Sequence, residues 1–242
     1  KVFKKLNFFF NYKALVSFNI FYFAENDLPQ PIQKNGKKYL VIHKESVNSP
    51  EESLINLENY LIHNKKFFGD KIAVYCENEK NILIKSNVLN QDQIEVVGCS
   101  RSDFSFKMRE INPIKNQIVY FMIENNRSIT EEKTKGKLVD WNDLLIKTQN
   151  YLIEYSSQNP DTQLIFKGKK NIHNRSDLPR NLPENCKFSL SNPGHKFLKS
   201  AKVVIAFNST ILFEAILANR NIIIPSFGID INKLEKLIYK SP

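Results

Sequence analysis

Short apolar runs, each followed by a stretch with helical spacing, limit more than any other feature what this chain can fold into. Residues 39–42, 72–75, 94–97, 118–123, 163–166, 187–190, 203–206 and 222–224 read as strands. Ser49-Pro50-Glu51-Glu52 reads as a helix start, with Ser as N-cap, Pro at the first position and acids in the first turn. Leu54, Leu57, Leu61 and Ile62 give that helix an apolar face. Residues 78–87 predict a short helix, as do residues 195–200 and 209–218. Asp140 is placed to cap a long helix with Leu144, Leu145, Tyr151, Leu152 and Tyr155 on its apolar side. Strands alternating with helices predict parallel sheets covered by helices on both faces. Runs such as Val203-Val204-Ile205-Ala206 are apolar throughout, as burial on two faces requires.

The rhythm pauses at Asn112-Pro113, which predicts two domains, residues 1–112 and 113–242. Residues 1–36 fit no clear element. Their phenylalanines, among them Phe8, Phe9, Phe10, Phe18, Phe21 and Phe23, suit either a core or a membrane-facing surface. Leu28-Pro29-Gln30-Pro31 is expected to break any regular element. The first residue is Lys1, so a fragment of a longer protein is expected.

Charge narrows the classes of partner. The formal net charge is +10, which favours an anionic partner: nucleotide, nucleic acid or acidic lipid. No block of five like charges and no RNA-reading motif occurs, so nucleic acid is not expected. Three cysteines, Cys76, Cys99 and Cys186, with no Cys-x-x-Cys pair, support neither a disulfide framework nor a zinc site, and fit a reduced, cytoplasmic compartment. No apolar run reaches the ~18 residues of a membrane span.

In an open parallel sheet, ligands bind beyond the carboxyl ends of the strands. That rule selects five segments: His43-Lys44-Glu45, residues 98–103, residues 167–174, Phe207-Asn208-Ser209-Thr210 and Pro225-Ser226-Phe227-Gly228. The fourth is the most specific, because a buried strand runs through Asn-Ser-Thr directly into an apolar helix. Unpaired helix-start N–H groups and the hydroxyls of Ser209 and Thr210 suit a phosphate. The same groups also serve as a plain N-cap. Glu214 lies four residues on, among apolar neighbours, and leans back toward that start, where it can meet ribose hydroxyls or form a structural ion pair. Lys167, Lys169 and Lys170 suit either phosphates or a solvated loop. His43 and Glu45 are candidate general bases, and the same triplet also fits a surface turn. Arg101 and Asp103 follow a tight turn at Gly98, leaving Arg101 to meet an acid or a phosphate.

These residues carry a resemblance. Residues 198–210, Glu214-Ala215 and residues 222–228 resemble the nucleotide-binding half of bacterial surface-carbohydrate glycosyltransferases, those of capsule and lipopolysaccharide synthesis, and more distantly the CDP-glycerol glycerophosphotransferases. Val41-Ile42-His43-Lys44-Glu45-Ser46-Val47 and Val96-Val97-Gly98-Cys99-Ser100-Arg101-Ser102-Asp103 resemble two further segments of that family in the same order, and Lys167 and Lys169 match its Lys-x-Lys. The family's Lys-x-His-Pro loop is replaced here by Lys167-Gly168-Lys169.

The resemblance implies a GT-B fold: two Rossmann-like α/β domains facing a cleft, the N-terminal one lacking its first strands and the C-terminal one its closing helices. It implies an inverting, metal-independent transfer of a sugar or polyol phosphate from a nucleotide-activated donor to a saccharide or lipid-linked acceptor. No separate cofactor is implied. Asn208, Ser209, Thr210, Lys167 and Lys169 would hold the donor phosphates and Glu214 the ribose. His43 or Glu45 would face the acceptor, with Lys44, Arg101, Asp103 and Ser226 nearby. The absence of an Asp-x-Asp metal motif agrees with that chemistry. The basic charge and Phe-rich start suit contact with the inner face of a membrane. A sugar-nucleotide 2-epimerase on the same fold and a non-catalytic basic binding module are the alternatives.

Overall fold

The computed structural model describes residues 11–20, 27–44, 50–123, 140–207 and 209–227. These divide at Cys99/Ser100 into two units, each built on its own parallel sheet.

The first unit orders its strands β1 (Ala14–Ser17), β2 (Lys38–Ile42), β3 (Lys71–Val74) and β4 (Ile94–Val96) consecutively across one sheet. The connecting helices are α1 (Pro29–Gln33), α2 (Pro50–Ile62) and α3 (Glu77–Lys85). Register pairs Ser17 with Val41, Val41 with Ile72 and Ile72 with Ile94. That row and its next-but-one neighbours Tyr39 and Val74 face a core with Ile32, Phe67, Leu83 and Val88. The alternate row, Val16 and Ile42, is exposed. Residues 39–42 thus present one fully buried face, while on the alternate face Leu40 and Ala73 are half-buried.

Two expectations give way. Leu28-Pro29-Gln30-Pro31 does not interrupt structure but begins α1, because both prolines fall in the first turn, where helix N–H groups have no partner anyway. Of the expected apolar face of α2, Leu54, Leu61 and Ile62 are exposed and Leu57 is half-buried. The helix instead turns Ser53 inward, where its Oγ accepts from Asn78 Nδ2 of α3 at 3.0 Å, and packs Tyr60 against the core.

The second unit has β5 (Gln117–Phe121), β6 (Gln163–Lys167), β7 (Cys186–Ser189), β8 (Val203–Ile205) and β9 (Asn221–Ile223). Their spatial order is β7-β6-β5-β8-β9, all parallel. The chain winds outward in one direction from β5, returns, and winds outward in the other. This is the doubly wound order, and its switch point lies between β5 and β8. The helices are α4 (Ser100–Lys107), α5 (Trp141–Gln158), α6 (Gly194–Leu198) and α7 (Ile211–Leu217). Both faces are covered. Tyr120, Phe166 and Ile205 meet Leu144, Leu145 and Leu152 of α5, while the alternate residues Val119 and Val204 meet Leu198 of α6 and Ile211, Leu212 and Ala215 of α7. Asp140 caps α5 as expected, its Oδ1 accepting from the Asp143 amide at 2.9 Å. Tyr151 and Tyr155, however, sit on the exposed side of α5. Among the described residues no helix is long and apolar enough to cross a membrane.

Candidate functional site

The switch point directs attention to the carboxyl edge of the second sheet, where Lys167 ends a strand and Ser209, Thr210 and Ser226 follow strand ends. Lys167 closes β6 beside Phe121 of β5. Phe166 belongs to the core under α5, so Lys167 takes the other face, the one covered by α6 and α7. It is only 8% exposed. Its Nζ donates to the Gly168 carbonyl and lies 5.8 Å from the centre of the Phe197 ring on α6. No carboxylate approaches it among the described residues, and burial pulls its pKa below the ordinary lysine value. An ammonium has three donors to place, and among the described residues one carbonyl takes one of them.

The surroundings are tightly fixed. A Cβ on Gly168 would come within 2.9 Å of the His173 Cβ and Leu190, so the loop after β6 closes only over glycine. His173, buried in that loop, accepts from the Lys169 amide at Nδ1 (2.9 Å), and its Nε2 lies 2.9 Å from the Ile123 carbonyl beyond β5. Through these two contacts the ring pins the β6 loop to the neighbouring strand end. A Cβ on Gly194 would meet Phe121 at 3.2 Å and Ile211 at 3.3 Å, so the start of α6 abuts both the end of β5 and the start of α7.

Thr210 occupies the N-cap position of α7 and makes no capping hydrogen bond through its side chain. The Ser209 carbonyl accepts from Leu212, and the Thr210 carbonyl from Phe213 and Glu214. The Thr210 hydroxyl is therefore not occupied by capping, and Ser209 beside it is likewise half-buried. Glu214 is half-buried one turn into α7. Lys169 is exposed and Ser226 half-buried. Asn208 lies outside the described residues.

In the first unit, His43 follows β2 and is 1% exposed. Its Nδ1 stands 3.3 Å from Oε1 of Glu79, a carboxylate in the first turn of α3 that is itself 2% exposed. Tyr60 belongs to the same cluster: burial, and then the Glu79 charge, push its phenol above the ordinary tyrosine range. Lys44 is exposed, its Nζ 4.9 Å from the Phe18 ring centre. Glu45 lies outside the described residues. Arg101 and Asp103 fall in the first turn of α4, in the second unit, with Asp103 exposed and the Arg101 side chain outside the described residues. Gly98 before them holds φ +74°, which explains glycine there.

Glu79 escaped the sequence reading. Its signal is positional: it stands where Ile82, Leu83 and Ser86 define the buried stripe of α3, so an acid there must have a partner inside.

No protein-family model matches the chain, and no curated protein matches it in sequence. Solved structures do match in fold. The wall teichoic acid polymerase TagF is 14% identical with a TM-score of 0.51, over 93% of this chain and 57% of that one. A variant of the same polymerase gives 12% identity and a TM-score of 0.51, over 92% and 56%. The chain thus spans well under two thirds of that polymerase's length, and what the two share is an α/β fold with parallel sheets.

Proposed function

We propose that the chain is a transferase of GT-B type, which passes a sugar or polyol phosphate from a nucleotide-activated donor to a saccharide or lipid-linked acceptor of a surface polymer. The observation that carries this reading is Lys167, a buried lysine with no carboxylate near it among the described residues, at the carboxyl edge of a doubly wound sheet. A bound phosphate supplies what that cation lacks. The fold likeness to a wall teichoic acid polymerase and the residue-level resemblance to surface-carbohydrate enzymes support the same reading.

In this mechanism the second unit holds the donor. The hydroxyls of Ser209 and Thr210, with Asn208, take the phosphate oxygens, Lys167 and Lys169 offset the charge, and Glu214 accepts from ribose. Acceptor activation falls to the end of β2. His43, or Glu45, takes the proton from the attacking hydroxyl as the new bond forms. The bond to the nucleotide breaks, and its electron pair leaves on the phosphate, which Lys167 stabilises. One displacement inverts the reacting centre. Glu79, facing Nδ1 of His43, fixes the tautomer that leaves Nε2 to accept the proton, and stabilises the imidazolium that results.

Thermal stability against CMP, CDP, UDP, GDP and ADP tests the donor site. A nucleotide at a hundred times its dissociation constant adds about 2.7 kcal/mol. One of them should stabilise the parent and leave Lys167→Met unchanged. Stabilisation of neither protein by any nucleotide sinks the reading.

A further inference from the structure

We infer that a cavity at the amino-terminal edge of the second sheet is a binding site for a neutral saccharide. Its volume is about 720 Å³, within the range of small-molecule sites. It opens between the end of α5 and the segment that leads into β7. Ser156, Ser157 and Pro160 line one side, and residues 181–185 the other. All strands of a parallel sheet start at one edge, so this cavity lies at the edge opposite Lys167, Ser209 and Thr210.

The wall of the cavity is fixed from beneath. Asn185 Nδ2 donates to the carbonyls of Ser156 (3.0 Å), Asn159 (3.2 Å) and Thr162 (2.8 Å). Three carbonyls around one nitrogen leave the amide a single orientation. Among the described residues nothing donates to its Oδ1, so that oxygen is a rigid acceptor held at the cavity. Ser156 is fully buried, its Oγ accepting from Cys186 Sγ at 3.1 Å, which anchors the α5 side of the wall to β7. Ser157 Oγ donates to the Ile153 carbonyl at 2.9 Å and keeps its lone pairs for a ligand.

Acceptors outnumber donors among these side chains, so the ligand must be rich in donors. Asn185 Oδ1, the Glu184 carboxylate and Ser157 Oγ all accept, while Asn181 alone adds an uncommitted side-chain amide. Pro160 and Pro183 carry no N–H. The lining holds a carboxylate and no cation, so the anionic partner favoured by the net charge of +10 does not suit this cavity. Sugar hydroxyls bring the donors, and the C–H face of a pyranose ring suits the apolar surface of Leu182 and the two prolines. The inference stands on this cavity and not on the transferase reading. Under that reading the site holds a saccharide chain away from its reacting end.

The test is titration of the whole chain with trisaccharides of glucose, galactose and N-acetylglucosamine, followed by ligand-observed nuclear magnetic resonance. A cationic glucosamine trisaccharide and an anionic sialic acid trisaccharide serve as comparisons. At least one neutral trisaccharide should bind with a Kd of about 1 mM or below. Asn181→Ala and Glu184→Gln should each weaken it about three- to tenfold, the effect of one hydrogen bond. Ser157→Trp, which fills the mouth of the cavity, should abolish it. All three side chains are exposed, and an unchanged melting temperature confirms folding. If Ser157→Trp melts lower than the parent, the two milder variants decide. Absence of binding by every neutral trisaccharide up to about 10 mM overturns the proposal. So does binding untouched by the variants, or tighter binding of either charged trisaccharide.

Discussion

Lys167 shows how one side chain separates a site from a scaffold. Among the described residues it has a single carbonyl acceptor and no carboxylate, so its burial should lower the stability of the free protein. Lys167→Met should therefore raise the ligand-free melting temperature at pH 7 while removing nucleotide binding. The sign with pH follows from linkage. The folded-state pKa lies below the unfolded value, so the full burial cost is present below the folded value. As pH rises the folded lysine loses its proton first, and the cost fades. The gap between Lys167→Met and the parent should narrow between pH 7 and about 10.4, as a melting series will show. His43 and Glu79 form the second residue-scale prediction. Glu79→Gln keeps the shape but not the charge facing Nδ1, and should lower kcat by about 10² or more with KM little changed. A KM effect alone would place Glu79 in substrate binding instead. The position of Lys167 after a strand was legible in the sequence. Its burial without a counter-charge was not, because that depends on which face of β6 is roofed by α6 and α7.

At the scale of elements, two polar side chains hold connections that apolar packing leaves loose. Asp70 accepts from the Tyr39 amide at 2.8 Å and from Lys38 Nζ, and so joins the α2–β3 connection to β2. Burial alone would raise its pKa, but the hydrogen bonds from Lys38, Tyr39 and Gln33 and the Lys38 charge hold it below the usual carboxylate range. Asp70→Asn should cost about 1–2 kcal/mol at pH 7. A folded pKa below the unfolded one means this stability is present above about pH 4 and is lost as pH falls through the folded value. Parent and variant should therefore converge in acid melts. Arg220 does comparable work in the second unit. Its guanidinium is buried and donates to the carbonyls of Leu198 (2.9 Å), Met108 (3.0 Å) and Ile111 (2.9 Å), tying the segment after α4 to the end of α6. Arg220→Ala strands several buried carbonyls and should cost about 2–4 kcal/mol by denaturant unfolding. Neither role was visible in sequence, since partners such as Met108 lie far along the chain. The misjudged face of α2 has a similar origin. Periodicity marks a stripe, but the contact between Ser53 and Asn78 decides which edge of it turns inward.

For the whole molecule, two separate cores carry two separate sets of consequences. Hydrogen exchange should show Asp70→Asn losing protection in β2 and β3 while β5 and β8 keep theirs, and Arg220→Ala doing the reverse. Loss of protection in both sheets from either change would mean that the cores do not open independently. The amino-acid sequence by itself determined the kind of fold. Short apolar runs spaced by helical stretches leave parallel α/β sheets as the solution that buries them, and the strand-end rule then names the loops that hold Lys167, Ser209 and Thr210. Those are local properties, set by periodicities of two and 3.6 residues. Only the tertiary structure decided the strand order β7-β6-β5-β8-β9, and with it the switch point beside Thr210. It alone brought Glu79 against His43 and set Ser157 and Asn185 around one cavity. Pairing, burial and charge compensation are relations between distant segments, and no window on the sequence contains both partners.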